Sequence, residues 1–157
     1  MNANDQIRIL FEELSTASIA IDSVSPEADE NWKISCLQQK LLVHAAFAEE
    51  SQSLTLTSCL QPPAVDLEEQ CWETLLIFNG HARDQHGLRY GIDDNQIPVQ
   101  RLDISTDDLD LPNLSRFVEF FVTRVALISG LLSKIGTAEE SELKRDLEGM
   151  LDPSIIV

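Results

Sequence analysis

The stretch Asp66 to Gly80, DLEEQCWETLLIFNG, decides how the rest of the chain is laid out. It opens with acids that suit a helix N-terminus, Asp66 as the cap with Glu68 and Glu69 in the first turn. It closes on Asn79-Gly80, the residue pair of a left-handed C-terminal cap. Between these ends Leu67, Cys71, Leu75 and Phe78 make one apolar stripe at helical spacing, and Trp72 with Leu76 make a second about 100° away. Strand-like runs flank the segment, so the spacing predicts a helix crossing one sheet. One sheet needs only one stripe, and the second predicts a further partner.

Upstream, Ile7, Leu10, Phe11 and Leu14 fall at i, i+3, i+4, i+7 from Asn4 to Ser15, with Asp5, Glu12 and Glu13 on the other side. This is a first amphipathic helix. Ile9 falls off its stripe, so the helix is either buried on more than one side or offers an apolar residue to a partner. The acidic connection DSVSPEADEN, Asp22 to Asn31, reads as a mobile loop because Ser25-Pro26 interrupts a regular element. Three alternating runs follow: Trp32, Ile34, Cys36; then Leu41, Val43, Ala45, Phe47; then Leu54, Leu56. With turns at Gln38-Gln39 and Glu49 to Gln52 they predict an antiparallel meander with one apolar face.

Downstream of the central helix, His81 to His86 is a polar connection. Leu88, Tyr90 and Ile92 then alternate with Arg89 and Gly91, Asp93-Asp94-Asn95 turns the chain, and Ile97 and Val99 resume the alternation. The apolar phase slips at Arg101, since Leu102 and Ile104 belong to the other set, which predicts a bulge or the end of the strand. A long helix is expected from Pro112 to Ile135, with Leu114, Phe117, Val118, Phe121, Val125, Ile128 and Leu132 as its stripe, widened by Phe120, Val122 and Leu131. The expected fold is α+β, a single domain over residues 1–135 in the order α-β-β-β-α-β-β-α, with a twisted antiparallel sheet of about five strands and three helices. Residues 136–157 read as an acidic tail, mobile or forming a short helix with Glu140 and Lys144 paired at i, i+4.

With 157 residues the chain is long enough to bury roughly two-thirds of its unfolded surface. Its 43% hydrophobic content is that of a folded domain, so a net charge of −16 lies over a real core rather than marking disorder. That charge repels phosphates, and neither nucleic acid nor an anionic membrane is expected as a partner. No apolar run reaches the roughly 18 residues of a membrane span, and the N-terminus has no signal-peptide pattern. Cys36, Cys59 and Cys71 sit in apolar runs without C-x-x-C spacing and are expected as buried, reduced thiols of a cytosolic protein.

Catalytic signatures are missing: there is no phosphate-binding glycine loop, no G-x-S-x-G and no H-E-x-x-H. His81 and His86, with Asp84 between them, read as a solvated loop rather than a metal site, and His44 as a surface residue. Acidic runs such as Asp93-Asp94-Asn95 lack the spacing of a calcium loop and read as turns. No catalytic residue, cofactor or metal ligand is expected, and the chain reads as an interaction protein rather than an enzyme.

The combination resembles the class I chaperones of bacterial type III secretion, the Tir-chaperone family. SLTLTSCLQPP from Ser53, LLIFNG ending at Gly80, HGLRYGIDDNQIPVQRLDIS from His86, and LPNLSRFVEFFVTRVALISGLL from Leu111 are similar to that family's third strand, second helix, closing hairpin and last helix. Asn79 and the Gly87 to Asp93 segment are the most family-like short features, and the resemblance covers about residues 4 to 135.

It implies a homodimer in the bacterial cytoplasm that binds the N-terminal region of a secreted effector in extended form and presents it to the secretion ATPase. It also implies that Ile7, Ile9, Leu10 and Leu14, with Ile34, Cys36, Val43, Ala45 and Phe47, face the effector or lie just beneath it. The dimer contact is then one face of the central helix, either Trp72 and Leu76 or Leu67, Cys71 and Leu75. A competing expectation from the charge alone is an acidic mimic or inhibitor of a basic protein.

Overall fold

A computed structural model of the chain describes residues 2–36, 38, 40–61, 65–81, 87–135 and 145. Gln39, Pro62-Pro63, the loop holding Asp84 and His86, and the tail with its Glu140–Lys144 pair lie outside the described residues. The elements run α1 (Ala3–Ala17), β1 (Ser23–Ala28), β2 (Asn31–Cys36), β3 (Leu41–Ala48), β4 (Ser53–Cys59), a 3-10 turn (Val65–Leu67), α2 (Glu68–His81), β5 (Leu88–Ile92), β6 (Pro98–Ser105) and α3 (Leu111–Lys134). The six strands form one antiparallel sheet in the order β1-β2-β3-β4-β6-β5.

Six strands replace the expected five because the acidic connection is a strand. β1 pairs with β2 from Ser23 opposite Ser35 to Pro26 opposite Trp32, with a register shift between Pro26 and Ala28. The connection between them is only Asp29-Glu30, with Glu30 in the left-handed region at φ 64°. Proline is tolerated at this place because an edge strand uses only half of its peptide groups in the ladder.

One face of the sheet is apolar and carries the core. Trp32, Ile34, Cys36, Val43, Ala45, Phe47, Leu54, Leu56, Leu88, Leu102 and Ile104 are all buried there, under Phe11 and Leu14 of α1 and the Leu114, Val118, Phe121, Val125, Ile128, Leu132 stripe of α3. Both helices are capped by side chains: Asn2 Oδ1 accepts from the Asp5 N–H at 2.7 Å, and Asp110 Oδ1 from the Asn113 N–H at 2.8 Å. The other face alternates outward with Lys33, His44, Thr55, Arg89 and Arg101 and faces solvent.

Two details correct the expectations for the closing hairpin. β6 has no bulge: its register against β4 is continuous from Cys59 opposite Val99 to Ser53 opposite Ser105. Gln100 holds the inward position between the others, fully buried, and its Nε2 donates to the Phe121 carbonyl at 3.0 Å. A polar residue in the core phase, with the apolar Val99 in the outward one opposite the exposed Cys59, is what made the alternation read as a slip. Asp93 closes the turn by accepting from the Asn95 and Ile97 N–H groups at 2.9 and 2.8 Å.

The end of α2 is also corrected. The helix runs through Asn79 and Gly80 to His81 rather than stopping at a left-handed cap. Asn79 is used otherwise: its Nδ2 donates to the Tyr90 carbonyl at 2.8 Å and its Oδ1 accepts from the Tyr90 N–H at 2.7 Å. The left-handed glycine is Gly87 at φ 82°, where an added Cβ would meet the Asp103 carbonyl oxygen at 3.1 Å.

Candidate functional site

The two edges of the sheet are treated in opposite ways. At β5 the Asn79 carboxamide occupies the backbone groups of Tyr90, so this edge is plugged by α2. At the other end of the sheet β1 has a partner on one side only, and no backbone group of another described element pairs with its outer side. Beside that open edge, α1 and β1 enclose a groove of about 530 Å³. Its apolar floor is Phe11, Val24, Pro26, Ala28 and Trp32, with Phe11 and Trp32 stacked at 4.4 Å between ring centroids and 8° between planes.

The groove is held in shape from both sides. Asn4 Nδ2 of α1 donates to Glu30 Oε1 in the β1–β2 turn at 3.0 Å, tying the helix to the hairpin. On the outer face Glu27 of β1 lies 3.9 Å from Lys33 Nζ of β2 and 3.0 Å from His44 Nδ1 of β3, which fastens the edge strand across its neighbours. The result is an extended backbone edge whose outer hydrogen-bonding groups have no backbone partner among the described residues, next to an aromatic-floored channel. Such an arrangement accepts an added strand, with main-chain bonds for affinity and the channel for alternate side chains.

A second surface lies on α2. Cys71, Leu75 and Phe78 point into the core and Leu67 is half-buried, while Leu76 is 68% and Ile77 52% exposed. Trp72, Leu76, Tyr90 and Ile92 help line an apolar hollow of about 310 Å³ between α2 and β5. Of the two expected stripes, the one with Leu67, Cys71 and Leu75 therefore serves this chain's own core. The Trp72–Leu76 stripe, widened by Ile77 and Ile92, is the one left open.

The residues expected to meet an effector divide sharply. Ile7 and Leu14 of α1, with Ile34, Cys36, Val43, Ala45 and Phe47 of the sheet, are all buried in the core. None of them is among the residues that line the groove, and they have almost no surface to offer a partner in this conformation. Leu10 is half-buried and Ile9 is 37% exposed, so these two reach the surface. The residues that sequence reasoning passed over are Val24, Pro26 and Ala28. Their signal was present as an alternation with Ser23, Ser25 and Glu27, but Ser25-Pro26 made it read as a loop.

Among the described residues two thiols and a phenol are shifted, all toward their protonated forms. Burial, and then the nearby Asp22 carboxylate, push the Cys36 thiol up. Burial, and then Glu68, do the same for Cys71. The Tyr90 hydroxyl is pushed far above its ordinary value by burial, against the opposing pull of Arg124, itself buried and placed over the Phe120 ring at 5.5 Å. Cys59 is exposed, contrary to expectation, because the strand alternation gives its neighbour Ser58 the inward place, where the Ser58 hydroxyl donates to the Leu42 carbonyl at 2.8 Å. Among the described residues no group of His, Cys, Asp and Glu is arranged to hold a metal ion.

No protein-family model matches the chain, and no curated protein matches it. Solved structures do share its fold. A chain of the ExsC–ExsE complex aligns with a TM-score of 0.71 at 18% identity, over 87% of this chain and 100% of that one. A chain of the HopA1–SchA chaperone–effector complex aligns with a TM-score of 0.62 at 16% identity, over 79% and 92%. The structure of the Yersinia pestis type III secretion chaperone SycH with a stable fragment of YscM2 gives 0.57 at 14% identity, over 76% and 97%. At these identities the likeness establishes a common fold.

Proposed function

We propose that this chain is a type III secretion chaperone of the class I, Tir-chaperone kind. It binds the N-terminal region of one or more effector proteins in the bacterial cytoplasm, keeps them soluble and secretion-competent, and delivers them to the secretion ATPase. The observation that carries the reading is the open β1 edge beside the α1 groove, in a fold shared with chains from a chaperone–effector complex and from a type III secretion chaperone complex. An extended client segment adds to β1 and sets its apolar side chains over Phe11, Trp32 and Val24. Ile9 and Leu10 extend the contact along α1, and Ile7, Leu14, Ile34, Cys36, Val43, Ala45 and Phe47 support it from beneath. No step of this function requires catalysis.

The open face of α2 supports a homodimer. Trp72, Leu76, Ile77 and Ile92 form an apolar surface on the opposite edge from the groove, and a two-fold contact through them leaves both client grooves free. Purification of the chain from its native host, with mass spectrometry of what accompanies it, tests the reading. A type III secreted protein bound through its N-terminal segment, with that segment protected from trypsin, is expected. A client-free monomer at micromolar concentration contradicts it.

A second reading, an acidic mimic that occupies a basic protein, is favoured by the net charge of −16. The two part on salt. Binding by a mimic is lost at moderate ionic strength, whereas a segment held by apolar burial and main-chain bonds stays bound.

A further inference from the structure

The chemistry of the groove selects among possible client segments, a step that rests on the proposed role of this groove as the client site. Its floor is apolar, but its lips are acidic: Asp5 and Glu12 along α1, Asp29 and Glu30 at the β1–β2 turn, against the single cation Arg8. Arg8 is already 3.7 Å from Asp5. Among the groove residues four carboxylates therefore face one guanidinium, and an unoccupied groove carries an excess of negative charge along its rim.

The geometry converts this excess into a pattern. Asp5 and Glu12 are seven residues apart on α1, about 10 Å along the helix axis, the length of about three residues of strand. A strand added to β1 turns every second side chain toward the groove, so positions two to four apart bracket that span. We infer that the partner fitted to this groove is an extended segment with apolar groove-facing residues flanked by Lys or Arg, and that acidic flanks are rejected. Rejection follows from the same rim, since a client carboxylate there would lie beside like charges with an apolar floor below.

Three synthetic peptides test this by nuclear magnetic resonance titration, with shifts in Ser23–Ala28 as the readout: Thr-Leu-Thr-Lys-Thr-Leu-Thr-Lys-Thr-Leu-Thr, whose two Lys stand four positions apart on the groove-facing side, and its versions with Gln and with Glu in place of both Lys. The Lys peptide is expected to bind tightest and the Glu peptide weakest, about tenfold apart at low salt and converging at about 0.3 M salt. Joint substitution of Glu12→Gln and Asp29→Asn is expected to abolish the preference, while the same charge change at the far side, Asp94→Asn with Asp107→Asn, leaves it. Equal affinities with shifts in β1 would overturn the charge selection and leave the groove standing. An absence of β1 shifts with every peptide would overturn the groove and the selection together. A preference that survives the groove substitutions, or vanishes equally with the distal pair, assigns the attraction to net charge and overturns the inference.

Discussion

The Asn79 carboxamide meets both backbone groups of Tyr90, its N–H at 2.7 Å and its carbonyl at 2.8 Å, so that one side chain at the end of α2 stands in for a missing strand beside β5. No other described contact ties α2 to the sheet by paired hydrogen bonds. Asn79→Ala removes both and leaves the Tyr90 groups half-buried without partners. The expected cost is about 2 kcal/mol, or about 4–8 °C in Tm for a chain of this size. Urea and thermal unfolding check it, and a change below about 0.5 kcal/mol would show that water replaces the carboxamide without loss.

Gln100 makes the opposite case. It is fully buried and donates to the Phe121 carbonyl, but its Oε1 has no hydrogen-bond partner among the described residues. Gln100→Leu keeps the shape, removes the orphaned acceptor and restores the apolar phase of β6. Stability is expected to stay level or rise by about 1 kcal/mol, measured as a shift in the urea midpoint with m unchanged. A loss of 2 kcal/mol or more would mean that the bond to α3 outweighs the unmet oxygen.

The thiols divide by exposure. Cys59 is exposed, and Cys36 and Cys71 are buried and held protonated by burial with an acid nearby. A chromogenic disulfide reagent at pH 8 is expected to consume one thiol quickly and the other two only on unfolding. Both buried thiols, and Tyr90, have values raised above the ordinary 9.0 and 10.0. The folded state therefore holds protons that the unfolded state releases. Stability from these groups is fully present below pH 9 and falls as pH rises beyond it. A urea midpoint that is flat or rising above pH 9 would contradict this.

What the sequence made legible follows its periodicities. The α3 stripe, the inward residues of β2, β3 and β4, and the double stripe of α2 all appear as regular spacings, because a buried face must repeat with the backbone. Two places hid a strand or its phase behind one residue. Pro26 made β1 read as a loop, although an edge strand does not need that N–H, and Gln100 broke an apolar alternation that continues through it. The side-chain site was less legible for a related reason. Ile34 and Val43 look like a binding surface as much as a core until the packing of the helices on the sheet is known, and the pairing of Asn79 with Tyr90 is a contact that no spacing encodes.

The α2 face gives a sharp contrast between neighbours. Leu75 is buried, so Leu75→Glu puts a charge in the core and is expected to unfold the chain. Leu76 is exposed, so Leu76→Glu leaves the fold intact by circular dichroism and disrupts only what α2 touches. Light scattering is expected to show the parent chain as a dimer, as proposed, and the Leu76→Glu protein as a monomer. An unchanged dimer moves the two-fold contact off this face.

The central claim is that an extended client joins the sheet at β1. Hydrogen exchange on the complex recovered from the host measures this at the backbone itself. The outward-facing amides of β1 are expected to slow by about tenfold or more on client binding, while that of Tyr90, already engaged by Asn79, stays as it was. Unchanged exchange along β1, or new protection confined to β5, would contradict the account.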